Sequence, residues 1–256
     1  MRVAVCVKHV PDGRVMINPE TRRLDRSGPG DLNGADRYAL EEALRLRDAN
    51  GAEVVAVSMG PKGATETVRS ALGLGADRGV LASDPAAEGS DLLGTARVLA
   101  RVIEREEPDL VLFGQQSTDG GGALLWAAVA DLLRRPFVSQ ASTLTVQDET
   151  VRVGRQTETG DEQLEVPLPA IVSVGDSINE PRYSSLKGMM AAKKKPLQVA
   201  SVEDLGLDPA EVGEAGAATC VLSVGPPPAR AGGERIEDDG TASERIVEFL
   251  VAKGVV

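Results

Sequence analysis

Aromatic side chains are scarce in this chain: one Trp, two Tyr and three Phe make up 2% of its 256 residues. The interior must therefore be filled by Val, Leu, Ala and Ile, the usual filling of parallel sheets covered by helices. Histidine is scarcer still, with His9 alone. Beside two distant cysteines, Cys6 and Cys220, it makes no Cys/His metal set. Two cysteines give no disulfide framework either. Cys6 lies in an apolar run that reads as a buried strand, so a reduced, cytoplasmic chain is expected. There is no nucleophile elbow and no SGGxDS-type pyrophosphate loop, which argues against hydrolytic and adenylate-transferring chemistry. No apolar run approaches the roughly 18 residues of a membrane span, and "MRVAVCVK" reads as a first strand rather than a signal peptide. Positive charge is in deficit: 28 Lys and Arg against 39 Asp and Glu give a net charge of −11, which argues against general nucleic-acid binding.

What is present is an alternation. "VAVCVK" (3–8), "EVVAVSMG" (53–60), "GVLAS" (79–83) and "DLVLFG" (109–114) read as buried strands. Between and after them come helical patterns over 33–51, 64–75, 90–107 and 123–135. In the first, Ala35, Ala39, Ala43 and Leu46 recur at helical spacing, with Asn33 placed to cap the start and Gly51 the end. Ser90 is placed to open the third. Strands alternating with helices through short connectors predict an α/β, doubly wound, mainly parallel Rossmann-like sheet. A small hairpin over 14–26, turning at Asn18-Pro19, is expected between the first strand and first helix. Residues 142–175 read as added antiparallel strands that extend or edge the sheet. Residues 1–195 form the α/β domain on this reading. Residues 196–256 form an extended C-terminal arm, with one strand at "TCVLSV" (219–224) and a closing amphipathic helix over 241–254, capped by Thr241 or Ser243.

Open α/β sheets bind ligands beyond the carboxyl ends of their strands. Those ends are "VKHVPD" (7–12), "SMGPKG" (58–63) and "FGQQSTDGGG" (113–122). The last holds two amides, two hydroxyls, a carboxylate and three successive glycines just before a helix. Glycines let backbone approach an anion, and a helix start favours phosphate. The same stretch also reads as a flexible loop with a helix cap. It is neither a P-loop nor GxGxxG. Lys8 faces either a phosphate or water. His9 reads as local structure rather than a base, and the carboxylates of "EEALRLRD" as a solvated helix face. With no evident catalytic group, a nucleotide-holding chain is a carrier, a sensor or a subunit, not an enzyme.

One segment stands apart: "INEPRYSSLKGMMAAKKKP", after "LPAIVSV", is basic and apolar-tipped in an acidic chain. It closely resembles the signature of the β subunit of electron transfer flavoprotein. "VAVCVKHVPD", "ADRYALEEALRL", "VVAVSMGPKGATETVRSALGLGADRGV", "GQQSTDG" and "AGGERIEDDGTASERIVEFLVAKGVV" resemble other parts of that family, so the likeness spans essentially the whole chain.

The resemblance implies a partner α subunit bearing a redox-active FAD, with AMP held structurally in this subunit, or a second FAD as in electron-bifurcating members. It implies electrons taken from dehydrogenases, typically acyl-CoA dehydrogenases, and passed to a membrane quinone oxidoreductase, with no direct membrane insertion of this chain. Carried over by position, the nucleotide contacts are Cys6, Asn33, Gly34, Ala35, Asp36 and Met59. They continue through Gly114, Gln115, Gln116, Ser117, Thr118, Asp119, Gly120, Gly121, Gly122 and Ala123. The docking loop, about 180–195, holds Pro181, Arg182, Tyr183, Leu186, Met189 and Lys193. Leu186 is implied to enter an apolar pocket on the dehydrogenase; by itself it reads as an ordinary half-buried side chain. Lys193 to Lys195 add steering or complement the helix dipole. Two departures bear on the nucleotide. Gly13 in "PDGRV" stands where several relatives carry an aromatic, and "TDGGGALLW" offers mostly backbone donors, which favours a compact AMP phosphate site over FAD. A stress-protein-like nucleotide-sensing module is the competing reading, and it leaves 178–256 unexplained.

Overall fold

β1 (Arg2–Cys6) is buried on both faces: Val3 and Val5 pack to one side, Ala4 and Cys6 to the other. Such a strand belongs inside a parallel sheet. The computed structural model describes all residues except Arg14, Val15, Ser27, Arg230, Ala231, Glu234, Ile236 and Val256. An insert follows β1, made of β2 (His9–Pro11), β3 (Ile17–Asn18), β4 (Arg23–Leu24) and β5 (Gly30–Leu32). β2 pairs antiparallel with β5, and β3 with β4. The β3–β4 pair is the expected hairpin. The Asn18 side chain accepts from the N–H groups of Glu20 and Thr21 to fix its turn. Arg14 and Val15, where that hairpin was expected to open, lie outside the described residues.

The alternation then runs as expected through α1 (Gly34–Asn50), β6 (Glu53–Met59), α2 (Thr65–Leu74), β7 (Arg78–Ala82), α3 (Leu92–Glu106), β8 (Leu110–Gly114) and α4 (Leu125–Leu133). Gly51 ends α1 in the left-handed region at φ 69°, its N–H bonding Arg47 O. Ser90 does not cap α3; Asp91 does, accepting from Gly94 N at 2.9 Å. The Ser90 hydroxyl instead donates to Ala87 O and accepts from Gly213 N.

The next region is antiparallel in part, as expected. β9 (Phe137–Ala141), which the sequence reading missed, joins the main sheet. β10 (Thr143–Gln147), β11 (Thr150–Thr157) and β12 (Gly160–Pro167) form a separate antiparallel sheet, while β13 (Ala170–Val174) returns to the main one. α5 (Leu186–Ala192) and β14 (Leu197–Ala200) follow, and α6 (Ala242–Ala252) closes the chain. Among the described residues the main sheet has seven strands in the order β14-β7-β6-β1-β8-β13-β9, every neighbouring pair parallel. β13 is buried along its whole length between β8 and β9, which explains its unbroken apolar run.

Two compact units divide the chain, Met1–Leu222 and Ser223–Val256. The first thus runs past residue 195, through β14. The expected strand at 219–224 is not formed. Thr219 is tied to the Asp91 carboxylate, and Arg22 donates to Val221 O and Leu222 O, so those backbone groups have partners outside any ladder. The second unit carries α6, which begins after Thr241 without a side-chain cap. Ile246, Val247, Phe249 and Val251 on it are exposed. Among the described residues, no helix is long and apolar enough to cross a membrane.

Candidate functional site

The strand order reverses beside β1, which has β6 on one flank and β8 on the other. In a doubly wound sheet that reversal opens a crevice beyond the strand ends. Three segments meet there: Val7–Lys8 after β1, the start of α1, and the run after β8.

Glycine is required where they meet. A Cβ on Gly114 would lie 2.4 Å from Asp36 Oδ1 and 2.6 Å from the Ala35 carbonyl carbon. Its absence lets the first turn of α1 sit directly on the end of β8. Asp36, buried in that turn, accepts the Lys8 N–H at 2.8 Å. Burial pushes its carboxyl up to about 7, even though the N–H groups of Lys8 and Gly114, the Asn33 side chain and the Lys8 charge all pull it down. The neighbouring Cys6 thiol is pushed well up, first by burial and then by the Asp36 charge.

Asn33 sits at the N-cap position of α1 but makes no capping bond. Its side chain instead clamps the loop after β8, donating to Gln116 O at 2.9 Å and accepting from Thr118 N at 3.1 Å. Beyond that clamp Asp119 receives two cations: Lys8 Nζ on Oδ1 at 2.7 Å and Arg26 Nη2 on Oδ2 at 2.6 Å. Burial works against the Asp119 charge, but Lys8 and Arg26 outweigh it and hold the carboxyl below its ordinary value. Lys8 therefore does not face water alone; its ammonium is paired with Asp119. The glycine run beside it is open. A Cβ on Gly121 would meet nothing within 4 Å, and one on Gly122 only Leu92 Cδ1 at 3.9 Å. Gly121 is left-handed at φ 57°, and α4 begins without a side-chain cap.

The expected nucleotide residues are thus brought to one end of the sheet. Met59 stands half-buried at the end of β6, two strands from β8. The sequence reading missed Arg26, which reaches the loop from the insert. The basic run "TRRLDR" was the available signal. His9 is local structure as expected, buried with Nδ1 2.8 Å from Thr67 Oγ1.

The segment expected to dock lies elsewhere, against α1 and α2. Tyr183 is 95% exposed and Leu186 77%, with Met189 and Met190 also exposed. Beneath them the anchoring is dense. Arg182 forks onto Glu41 at 2.7 and 3.0 Å and reaches Asp48 at 3.1 Å. Asn179 Nδ2 donates to Tyr38 O and to Glu42. Glu41 and Glu42 are therefore buried partners, contrary to the solvated face expected for them. Ser185 caps α5 through Gly188 N at 3.0 Å. Gly188 needs to be glycine, since a Cβ would lie 2.4 Å from Gly73 O on α2. The two helices also exchange end caps. Lys195 Nζ donates to the carbonyls of Leu72, Gly75 and Ala76, while Arg69 donates to those of Ala192 and Lys195. Lys195 thus caps a helix other than its own. Pro181 is half-buried and Lys193 exposed.

Fold and crevice define a class: a doubly wound α/β protein whose candidate ligand site is a polar, glycine-lined crevice at the switch point. Residues 21–205 match the electron transfer flavoprotein domain. The chain is similar to the electron transfer flavoprotein subunit beta of Mycobacterium leprae, 37% identical over 263 residues and covering 99% of each chain. The subunit of that name from Bos taurus is 37% identical over 259 residues, 99% of this chain and 96% of the other. The caffeyl-CoA reductase–Etf complex subunit CarD of Acetobacterium woodii is 39% identical over 257 residues, 99% of this chain and 97% of the other. The chain belongs to the electron transfer flavoprotein family, among its β subunits.

Proposed function

We propose that this chain works as a non-catalytic electron-carrier subunit in a heterodimer with a flavin-bearing α subunit. It holds AMP as a structural nucleotide in the switch-point crevice and presents a docking lip to acyl-CoA or related dehydrogenases. Electrons pass from them to the FAD of the heterodimer and on to a quinone oxidoreductase. The observation that carries the AMP reading is the crevice itself: an open glycine run ahead of an uncapped helix, flanked by the Lys8 and Arg26 cations. The residues fit a phosphate there. Asn33 and Asp36 fix the loop and helix that would receive the rest of the nucleotide, and Cys6 and Met59 supply its less polar wall. Bound FAD in the heterodimer supplies the redox chemistry, while this chain's residues bind and orient.

The docking reading rests on the contrast between bare apolar tips and an anchored base. Burying a Leu side chain contributes roughly 1.5–3 kcal/mol, enough for transient contact and too little for a lasting one. Arg182 acts as a positioning residue under the lip. The exposed apolar residues of α6 support a role for the C-terminal arm in gripping the α subunit.

Co-expression with the α subunit tests the proposal. A yellow heterodimer that releases AMP on acid treatment, identified by mass, is the expected result. Release of FAD in twofold amount with no AMP would replace it with the bifurcating type. A colourless homodimer would overturn both.

A further inference from the structure

Asp119 is almost fully enclosed, its side chain 1% exposed, but the cations on it are not: Lys8 keeps 37% and Arg26 33% of their side-chain surface open. One carboxylate against two cations leaves an excess of positive charge, which the buried Asp36 carboxyl, pushed up to about 7, offsets only in part. The excess lies beside the glycine run, because the Lys8 ammonium is 3.1 Å from Ser117 Oγ and 3.7 Å from where a Cβ on Gly120 would stand. Arg26 arrives from the insert, 93 residues away in sequence, and its Asp119 contact fixes that insert to the loop. Lys8 and Arg26 differ in what they offer. An ammonium is a point charge, whereas a guanidinium is a planar fork that pairs with two phosphate oxygens.

We propose that Arg26 is the specificity-determining cation of the crevice: with Lys8 it recognises the phosphate of a nucleoside monophosphate, so that the site selects nucleotide over nucleoside. This rests on the AMP reading above. Asp119 is then an aiming device. It holds both cations at the mouth of the glycine run and is not itself a ligand, since a second anion beside a phosphate would repel it. The insert becomes a phosphate-side cap contributed by a segment outside the strand-helix framework.

The test is titration of the nucleotide-depleted heterodimer with AMP and, separately, with adenosine, for the native chain, Arg26→Ala and Arg26→Lys. The native complex should prefer AMP. Arg26→Ala should weaken AMP about 10- to 100-fold, the range of a charge-assisted hydrogen bond, and leave adenosine within about twofold. Arg26→Lys should recover part of the loss. Equal weakening of both ligands would show that Arg26 only holds the loop and would overturn the proposal, as would undiminished AMP binding in Arg26→Ala. A native complex that binds neither ligand would mark the failure of the AMP reading itself and take this proposal with it.

Discussion

The switch-point crevice and the exposed lip over 183–190 invert one another. At the crevice, charge is taken inside: Asp36 is buried under the Lys8 backbone, and Asp119 is enclosed between two cations. At the lip, apolar surface is put outside: Leu186, Met190 and Tyr183 stand in solvent above a base of ion pairs and helix caps. Each arrangement is costly alone. A buried charge needs partners, and a bare apolar tip needs a rigid seat if docking is not to lose the gain to ordering. The difference teaches what each region is for. The crevice encloses its carboxylates but leaves its glycine run and two cations open, as the proposed nucleotide would require. The lip leaves its apolar tips uncovered, as the proposed transient contact would require.

Four changes break or sharpen that contrast. The largest effect is expected from Gly114→Ala, because the added Cβ meets backbone and the Asp36 carboxylate rather than a flexible chain end. Destabilisation of at least about 3 kcal/mol should appear in chemical denaturation, with loss of nucleotide. Leu186→Ala should do the opposite: stability within about 0.5 kcal/mol of native, but dehydrogenase-to-flavin transfer slowed about tenfold or more at low dehydrogenase concentration. Arg182→Ala lies between. It leaves the buried Glu41 with Arg45, 3.6 Å away, and the backbone N–H of residue 182, 3.2 Å away, and should cost about 2 kcal/mol while also slowing transfer. If transfer is unchanged although stability falls, the anchored base does not serve the lip.

The fourth effect is a pH dependence. Asp36 has its folded pKa raised to about 7, above the unfolded range of about 4. Folding then binds a proton between those values, so the contribution to stability is full below about pH 4 and is lost as pH rises to about 7. The melting temperature of the native chain should therefore fall more steeply from pH 5 to 7 than that of Asp36→Asn. Parallel curves would remove Asp36 as the source.

Much of the framework could be read from local pattern. α1 shows it best: Ala39, Ala43 and Leu46 are buried as their spacing predicts, and Gly51 ends the helix. The failures came where a residue's partner is distant. β13 and β9 lie around a run of antiparallel strands, and nothing local says that 170–174 leaves its neighbours to pair with β8. "LQVA" became an edge strand on β7, while the more apolar "TCVLSV" did not, because strand formation depends on an available edge as well as composition. At the site, the same rule decided Asn33. Local logic makes it a cap, but its side chain bonds the 116–118 loop across 83 to 85 residues of sequence. Glu41 and Glu42 read as solvated until Arg182 and Asn179, 141 and 137 residues away, are seen to cover them. The glycine run and the lip were legible because each concentrates an unusual composition in one short stretch. Arg26 was not, because its meaning lies in Asp119.

Hydrogen–deuterium exchange on the heterodimer tests the division of labour most directly, read once with AMP added and once with an acyl-CoA dehydrogenase. AMP should slow exchange over 114–124 and leave 183–190 unchanged, and the dehydrogenase should do the reverse. Protection of 183–190 by AMP, or of neither segment by either ligand, would contradict the account.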